Sequence, residues 1–389
     1  MDAKRWSQLS PLLDELLELD ETLRVRRLQQ LAVSHPDLAA ELERLLAVEK
    51  QSDGFIAEPL LAHHDQLARQ GDRVGDYQLL KLLGEGGMGQ VWLAADMRHQ
   101  GPLHVALKLL RPDLADPNLR ARFLRERDTL ARLSHARIPR LHDAGGEGGN
   151  QLYLALEYAP GESIVEHCQR NAASIRRCVD LFLQVCEALE HVHAQGIVHR
   201  DVKPSNILVD AYDQVRLLDF GIARHRDEPD EPVMDDETRA FTLHYAAPEQ
   251  IRGEAVDTTA DVYSLGVVLY ELLTGQKPYR LRRQSDAEWE RAVLRAEVTS
   301  PSVMLQRQVR GQHGARLARR AAHLRGDLDA IVLKALQKPA DLRYGSVSAL
   351  AADLRRWQHG EAASVRQAPP PRTWLRWWRR DPVQPPAGA

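Results

Sequence analysis

The hydrophobic positions change period along the chain. Up to about residue 70, leucines recur every three or four positions, as in "LSPLLDELLELDETLRVRRLQQLAV", with charges on the opposite side. That spacing predicts amphipathic helices. Ser10 followed by Pro11 reads as a cap and first-turn proline. "HPDLAAELERLLAVEKQ" predicts a second helix, and "QSDGFIAEP" interrupts the pattern as a linker. Helices this short bury little alone, so they pack on the following domain or bind a partner; both readings stay open. From Asp76 the period shortens. "YQLLKLLGEGGMGQVWLAAD" is apolar on both sides of a glycine cluster and predicts strand, glycine loop, strand. "HVALKLLR" predicts another strand. "LRARFLRERDTLARL" predicts a helix with an apolar stripe at Phe123, Leu124, Leu130 and Leu133, and "QLYLALEYA" a strand ending in the turn "PGES". Beyond residue 160 helical patterns dominate to about 360. The expectation is a β-rich part with one helix followed by a larger helical part.

Composition narrows the classes. At 389 residues the chain suggests two or three units. An apolar share of 43% with 28% charged residues is that of a globular protein. A net charge of -3 gives no global case for nucleic-acid binding, so no such partner is expected. Cys168, Cys178 and Cys186 have neither metal-ligand spacing nor a disulfide framework, and fit reduced thiols in the cytoplasm. "MDAKRWSQLS" lacks the apolar core of a secretion signal, and "VYSLGVVLY" is too short to cross a bilayer, so a soluble chain is expected.

The candidate chemistry lies in four places. Gly84-x-Gly86-x-x-Gly89 is a weak signal alone, since glycine turns without ligands are common. A dinucleotide fold would open a helix after these glycines, whereas "QVWLAAD" continues as a strand; a phosphate loop of the Walker type would need Lys-Ser/Thr after Gly89. What remains is a hairpin whose bare amides can lie over phosphates, with Met88 covering the site at its tip. Lys108 closes "VALK", where alternation puts it on one face with Ala106, room for a flat base beside a phosphate. Glu126 in the next helix could hold its ammonium group; the plainer reading of each is a solvated charge. In "HRDVKPSNIL", which a polar turn would also explain, Asp201 can accept a proton from an attacking hydroxyl. Lys203 can neutralise a moving phosphoryl group, and Asn206 can give an oxygen to a hard metal ion. "VRLLDFG" ends an apolar strand with Asp219, where a buried unpaired carboxylate would be costly and a bound magnesium would remove the cost.

In this order the motifs resemble a family. The glycine loop, "VALK", "HRDVKPSN", "DFG", "APE" at 247–249 and "DVYSLG" at 261–266 make residues 77–358 similar to bacterial eukaryotic-type (Hanks-type) serine/threonine protein kinases. The resemblance implies an α+β bilobal fold, with a small β-rich lobe at 77–157 and a larger helical lobe at 162–358. It implies ATP and Mg2+ as cofactors and Ser or Thr hydroxyls of proteins as acceptors, with autophosphorylation in signalling. By it, Gly84, Glu85, Gly86, Gly87, Met88, Gly89 and Val91 would cover the nucleotide, with Ala106 beside the base. Lys108 would hold the phosphates and pair with Glu126. Leu156 would flank the adenine, and the backbone of Glu157 to Ala159 would bind it. Glu162 could reach the ribose. Asp201 would be the base, aided by Lys203, while Asn206 and Asp219 would bind the metal. Glu249 would pair with Arg343, and Asp261 would hold the catalytic loop from below.

Other regions leave alternatives. "RDEPDEPVMDDETRAF" is an acidic loop, read either as solvated chain or as a segment ordered by phosphorylation, with Thr238 as the switch. Asp235 to Glu237 could instead meet Arg200 directly. Residues 280–325 are arginine-rich, a solvated helical face or a docking surface for acidic partners. The tail at 359–389, with Trp374, Trp377 and Trp378 among arginines, suits peripheral contact with a membrane or packing on the large lobe. The helical region at 1–70 could act in regulation or homodimerisation. Two other function classes would need a different set of residues. A binding-only kinase fold would be expected to lack Lys108, Asp201 or Asp219, all present. A small-molecule phosphotransferase would not be expected to carry "APE" and its preceding threonine.

Overall fold

The computed structural model describes residues 27–28, 31, 38, 42, 68–86, 89–98, 103–110, 117–146, 151–220, 224–225, 243–279, 281, 286–309 and 314–367. The chain divides into two units, Met1–Leu67 and Ala68–Ala389. In the first, the described residues are helical, and Leu31 and Leu42 are buried. Ser10, the second predicted helix start and the linker lie outside the described residues.

The second unit opens with an antiparallel six-stranded sheet: β1 (Arg73–Val74), β2 (Tyr77–Gly86), β3 (Gly89–Asp96), β4 (Leu103–Leu110), β5 (Leu141–Gly145) and β6 (Tyr153–Glu157), in the order β1-β2-β3-β4-β6-β5. Between β4 and β5 lies α1 (Pro117–Arg132), which buries Phe123 and Leu130 while Leu133 is buried just past its end; Leu124 is half-buried. Strand parity sorts the sheet. Trp92, Ala94, Val105, Leu107, Leu109 and Ala155 share one face and form, with Tyr77 and Leu79, a small closed cluster. Val91, Ala106, Lys108, Leu154 and Leu156 occupy the other face, because cross-strand partners point the same way. That second face carries the candidate nucleotide-facing side chains.

The rest of the unit is mostly helical: α2 (Ile164–Arg170), α3 (Ile175–Ala194), α4 (Pro248–Arg252), α5 (Thr258–Thr274), α6 (Asp286–Arg295), α7 (Pro301–Arg307), α8 (Gly314–Leu324), α9 (Asp327–Ala335), α10 (Val347–Gln358) and α11 (Ser364–Gln367). Short strands β7 (Glu162–Ser163), β9 (Ile207–Val209) and β10 (Val215–Leu217) form a second sheet, and β8 (Ile197–Val198) pairs with β11 (Arg224–His225). This is the bilobal α+β arrangement the resemblance implies. The expected turn "PGES" is only partly a turn. Its last two residues pair with β9, and Ser163 caps α2 in a reciprocal capping box with Glu166. Gly161, at φ +153, comes so close to β9 that a Cβ there would meet the Val209 carbonyl oxygen at 2.5 Å.

α5 is the axis of the large lobe. It is capped by Asp257, ends at Gly275 in the left-handed conformation, and is buried on nearly every side. A helix apolar all round belongs inside a core. Its one fully buried carboxylate, Asp261, accepts hydrogen bonds from the backbone N–H groups of His199 (2.9 Å) and Arg200 (2.8 Å) and from His193 Nε2 (2.7 Å). Burial alone would raise its pKa, but the hydrogen bond and charge of His193, with those of His199, hold it below the usual carboxylate range. Nearby, Glu249 of α4 is bidentate to Arg343, at 2.6 and 2.7 Å, and both are buried. The arginine-rich stretch is not simply a solvated face. Arg320 of α8 turns inward and donates to the carbonyls of Ala173, Leu272 and Leu273.

Two stability outcomes follow. Asp261 has a native pKa below its unfolded value, so its contribution is fully present above about pH 4 and is lost as pH falls through the native pKa. Chemical denaturation should therefore find Asp261→Asn less stable at pH 7 by about 3 kcal/mol, with a shallower loss on acidification than the parent chain. Glu249→Gln leaves Arg343 buried without its counter-charge, and urea titration should show a loss of about 3 kcal/mol.

Candidate active site

The site assembles at the seam between the sheet and the large lobe. Lys108 ends the run "VALK" on β4, beside Val91 on β3 and Leu154 on β6. Its Nζ donates to both carboxylate oxygens of Glu126, at 2.8 and 2.7 Å, and to Asp219 Oδ1 at 3.1 Å. Glu126 is supplied by α1 and is only 1% exposed at its side chain. Burial would drive the lysine toward neutrality, but the charges of Asp219 and Glu126 outweigh it and hold the ammonium form far above its ordinary range. A cation is thus fixed on the sheet face that also carries Ala106.

Asp219 does not sit as the sequence suggests. Its side chain is 42% exposed, not buried, and it lies two residues beyond β10 with φ +60. Aspartate tolerates the left-handed region better than most residues, and the turn swings the carboxylate out of the strand toward Lys108. Phe220, next in the chain, is buried against His199, with ring centroids 4.8 Å apart. Gly221 lies outside the described residues.

The loop before β9 carries the remaining groups. Arg200 has φ +69, a strained value for a long side chain, held by the Asp261 bond to its N–H and by Gln250 Nε2 donating to its carbonyl at 2.8 Å. His199 accepts from the Asp201 N–H at Nδ1 (3.3 Å) and donates through Nε2 to the Leu218 carbonyl (3.3 Å), tying the loop to the segment that bears Asp219. Asp201 is buried, and its Oδ2 receives Lys203 Nζ at 2.7 Å and Asn206 Nδ2 at 3.0 Å. Asn206 also donates to the Asp201 carbonyl at 2.9 Å, so both its amide hydrogens point at Asp201 and its oxygen is the end left for another group. Among the described residues, Asp201 Oδ1 is buried with no hydrogen-bond partner. Such an atom is costly unless a ligand group completes it.

The structure therefore brings Lys108, Glu126 and Asp219 into one ion cluster and Asp201, Lys203 and Asn206 into another. Val91, Ala106 and Leu156 share the sheet face with Lys108. Gly84, Glu85 and Gly86 pair with Val91, Gln90 and Gly89; Gly87 and Met88 lie outside the described residues. The stretch from Glu157 to Ala159 leaves β6 with the Glu157 N–H fixed on the Arg140 carbonyl at 2.8 Å. Glu162 is engaged elsewhere, accepting His167 Nδ1 at 3.0 Å and pairing with Arg170. Thr238, Thr242, Asp235 to Glu237 and the tail from 368 lie outside the described residues.

One contributor escapes a motif reading. His193 reaches Asp261 across 68 positions, and no local pattern marks it.

A family model described as protein kinase domain matches residues 77–351. The serine/threonine-protein kinase PknB of Mycolicibacterium smegmatis is 38% identical over 294 residues, which is 74% of this chain and 43% of that relative. PknB of Mycobacterium tuberculosis is 38% identical over 293 residues, 73% of this chain and 43% of the relative. A probable serine/threonine-protein kinase of Streptomyces coelicolor is 34% identical over 300 residues, 76% and 42% of the two chains. The chain thus spans less than half the length of these curated relatives. From the family match, the two ion clusters and the bilobal fold together, the chain belongs to the protein kinase family, among the eukaryotic-type (Hanks-type) serine/threonine kinases of bacteria.

Proposed function

We propose that the chain is an ATP- and Mg2+-dependent protein serine/threonine kinase that transfers the terminal phosphoryl group of ATP to Ser or Thr hydroxyls of proteins, its own included. The observation that carries this reading is Asp201 Oδ1, a buried acceptor without a partner among the described residues, on the carboxylate whose other oxygen holds Lys203. A substrate hydroxyl there would complete its hydrogen bonding and give up its proton to it. Lys203, anchored on the other carboxylate oxygen, would offset charge on the phosphoryl oxygens. Lys108, held charged and immobile by Glu126, would position the nucleotide phosphates.

The residues present suit magnesium. Asp219 and Asn206 offer one carboxylate and one neutral oxygen, and among the described residues there is no group of three or more His, Cys, Asp or Glu that could hold a metal by protein ligands alone. Magnesium is commonly bound by one or two carboxylates together with substrate phosphates, so a two-ligand protein site fits. When bound, the ion would supply charge neutralisation at those phosphates. Val91, Ala106 and Leu156 would enclose the adenine, with Gly84 to Gly89 as its cover and Glu157 and Ala159 supplying backbone hydrogen bonds.

We further infer cytoplasmic placement, which three free thiols at Cys168, Cys178 and Cys186 support. Phosphorylation at Thr238 is inferred from its place in the acidic segment, where a phosphate would meet basic residues such as Arg200. The tail's Trp and Arg side chains would give peripheral contact with an anionic membrane; among the described residues no helix is long and apolar enough to cross one. Residues 1–70 would serve regulation or self-association.

Incubation with ATP and magnesium, followed by phosphosite mapping, should place phosphate on Ser or Thr, Thr238 among them. Asp201→Asn should lower incorporation by at least about 100-fold while ATP still binds. ATP binding without incorporation by the unaltered chain would overturn the enzymatic reading. Flotation with anionic vesicles should fall when residues 369–389 are removed; unchanged flotation would remove the membrane contact.

A further inference from the structure

Helix α8 carries a charge imbalance that the proposed active site does not use. From Val298 to Gly326 the sequence has six arginines and no Asp or Glu. The helix sorts its share of them by face. Ala321 and Leu324 are buried, and Arg320 turns inward onto the carbonyls of Ala173, Leu272 and Leu273. Arg316, Arg319 and His323 follow one another at three- and four-residue spacing and are exposed, so they form one stripe along the outer side. Arg325, just past the helix, and Arg307, in the last turn of α7, are exposed as well. Among the described residues Arg316 and Arg319 have no carboxylate partner; Arg316 donates to the Ala172 carbonyl at 3.5 Å.

A stripe of one sign draws an acidic chain toward it. The complementary stretch is in the same sequence: "DEPDEPVMDDE" at 227–237 holds seven acids in eleven residues. As a whole it cannot lie along α8 of its own chain. It starts two residues after His225 of β11, whose partner strand β8 follows the C-terminal end of α3. α8 is bonded at the other end of α3, through Arg316 to Ala172 and Arg320 to Ala173. With 20 residues, α3 separates the two by about 30 Å. Asp227 and Glu228 are two and three residues past His225, at most about 10 Å of extended chain. The α8 face that the whole stretch can cover therefore belongs to another molecule.

We propose that the outer face of α8 is a docking surface for the acidic stretch 227–237 of a second copy of this chain. Each exposed ion pair in such a contact contributes little, so the attraction comes from several pairs acting together and weakens with salt. Contacts of this kind form and release quickly, which suits a substrate more than a permanent dimer. The position of Thr238, directly after Glu237, gives the contact a use. The loop bearing Asp201 is bonded to Asp261, and α8 is bonded to Leu272 of the same helix. Those two residues are eleven positions apart, about 17 Å along α5. The seven residues from Glu231 to Thr238 span up to about 25 Å, enough to cover that interval. Docking of the first acids on α8 thus leaves the chain length to bring Thr238 to Asp201 of the other copy. That consequence rests on the kinase reading; the docking itself does not.

Sedimentation velocity of the full chain without nucleotide tests the contact. The expected result is a dimer that grows with protein concentration and loses at least about tenfold in affinity between about 50 and 300 mM NaCl. Arg316→Glu with Arg319→Glu should weaken association at least about tenfold, and so should Asp227→Lys, Glu228→Lys, Asp230→Lys and Glu231→Lys together. Neither altered chain should pair with itself, whereas the two mixed should form a heterodimer, because both charge patterns are then matched. If an altered chain does not fold, a labelled peptide of residues 227–237 decides the matter: it should bind the unaltered chain and be released by salt. A chain that stays monomeric at low salt, a dimer indifferent to the Arg316 and Arg319 changes, or mixed variants that stay apart would overturn the proposal. Loss of anionic-vesicle flotation or of oligonucleotide binding in the Arg316→Glu, Arg319→Glu chain, with dimerisation unchanged, would assign the face to lipid or nucleic acid and overturn it too. None of these readouts depends on catalysis, so they stand or fall apart from the kinase reading.

Discussion

One buried carboxylate organises the site. Asp261 sits on the helix that forms the axis of the large lobe and spends its oxygens on backbone N–H groups of the loop above it and on His193. A carboxylate buried without partners would cost several kcal/mol or lose its charge. Satisfied by three donors, it becomes a rigid anchor. The consequence is mechanical. Arg200 is kept at a positive φ that it would not adopt unaided, and this fixes the backbone that leads into Asp201. Gln250 holds the same loop from the other side through the Arg200 carbonyl, so the anchor connects α4, α5 and the catalytic loop.

The charges nearer the seam follow a second rule, that buried ions come in compensated sets. Lys108 has two carboxylates, Asp201 a lysine and an amide, and Arg343 a bidentate glutamate plus three carbonyls. Such sets add little net stability, since desolvation offsets most of the Coulomb gain. Their effect is geometric. Each group can point only one way without leaving a partner unpaired, and this is the preorganisation that phosphoryl transfer requires. Arg320 is the exception, compensated by carbonyls and a thiol.

Much of this was legible in the chain. The strands around the glycine cluster follow from the β-suited runs, and α1 follows from the spacing of Phe123 and Leu130. Ala106 and Lys108 share a face because strand side chains alternate, a purely local rule. The reading failed at Asp219. An apolar run followed by aspartate suggests burial, but the run ends at Leu217 and a left-handed turn carries the carboxylate outward. It was also incomplete at Arg320, since a count of arginines does not tell which one turns inward to bind helix-end carbonyls.

The sequence by itself determined the elements, the order of the motifs and the types of chemical group available, because periodicity, turn residues and short spacings are set by local geometry. Only the tertiary structure decided which groups meet. The Lys108–Asp219 contact spans 111 positions, the Glu249–Arg343 pair 94, and the approach of Arg320 to Cys178 142. Those meetings depend on how the core closes around α5. Hydrophobic packing fixes that closure without leaving a local mark on the charged residues it brings together.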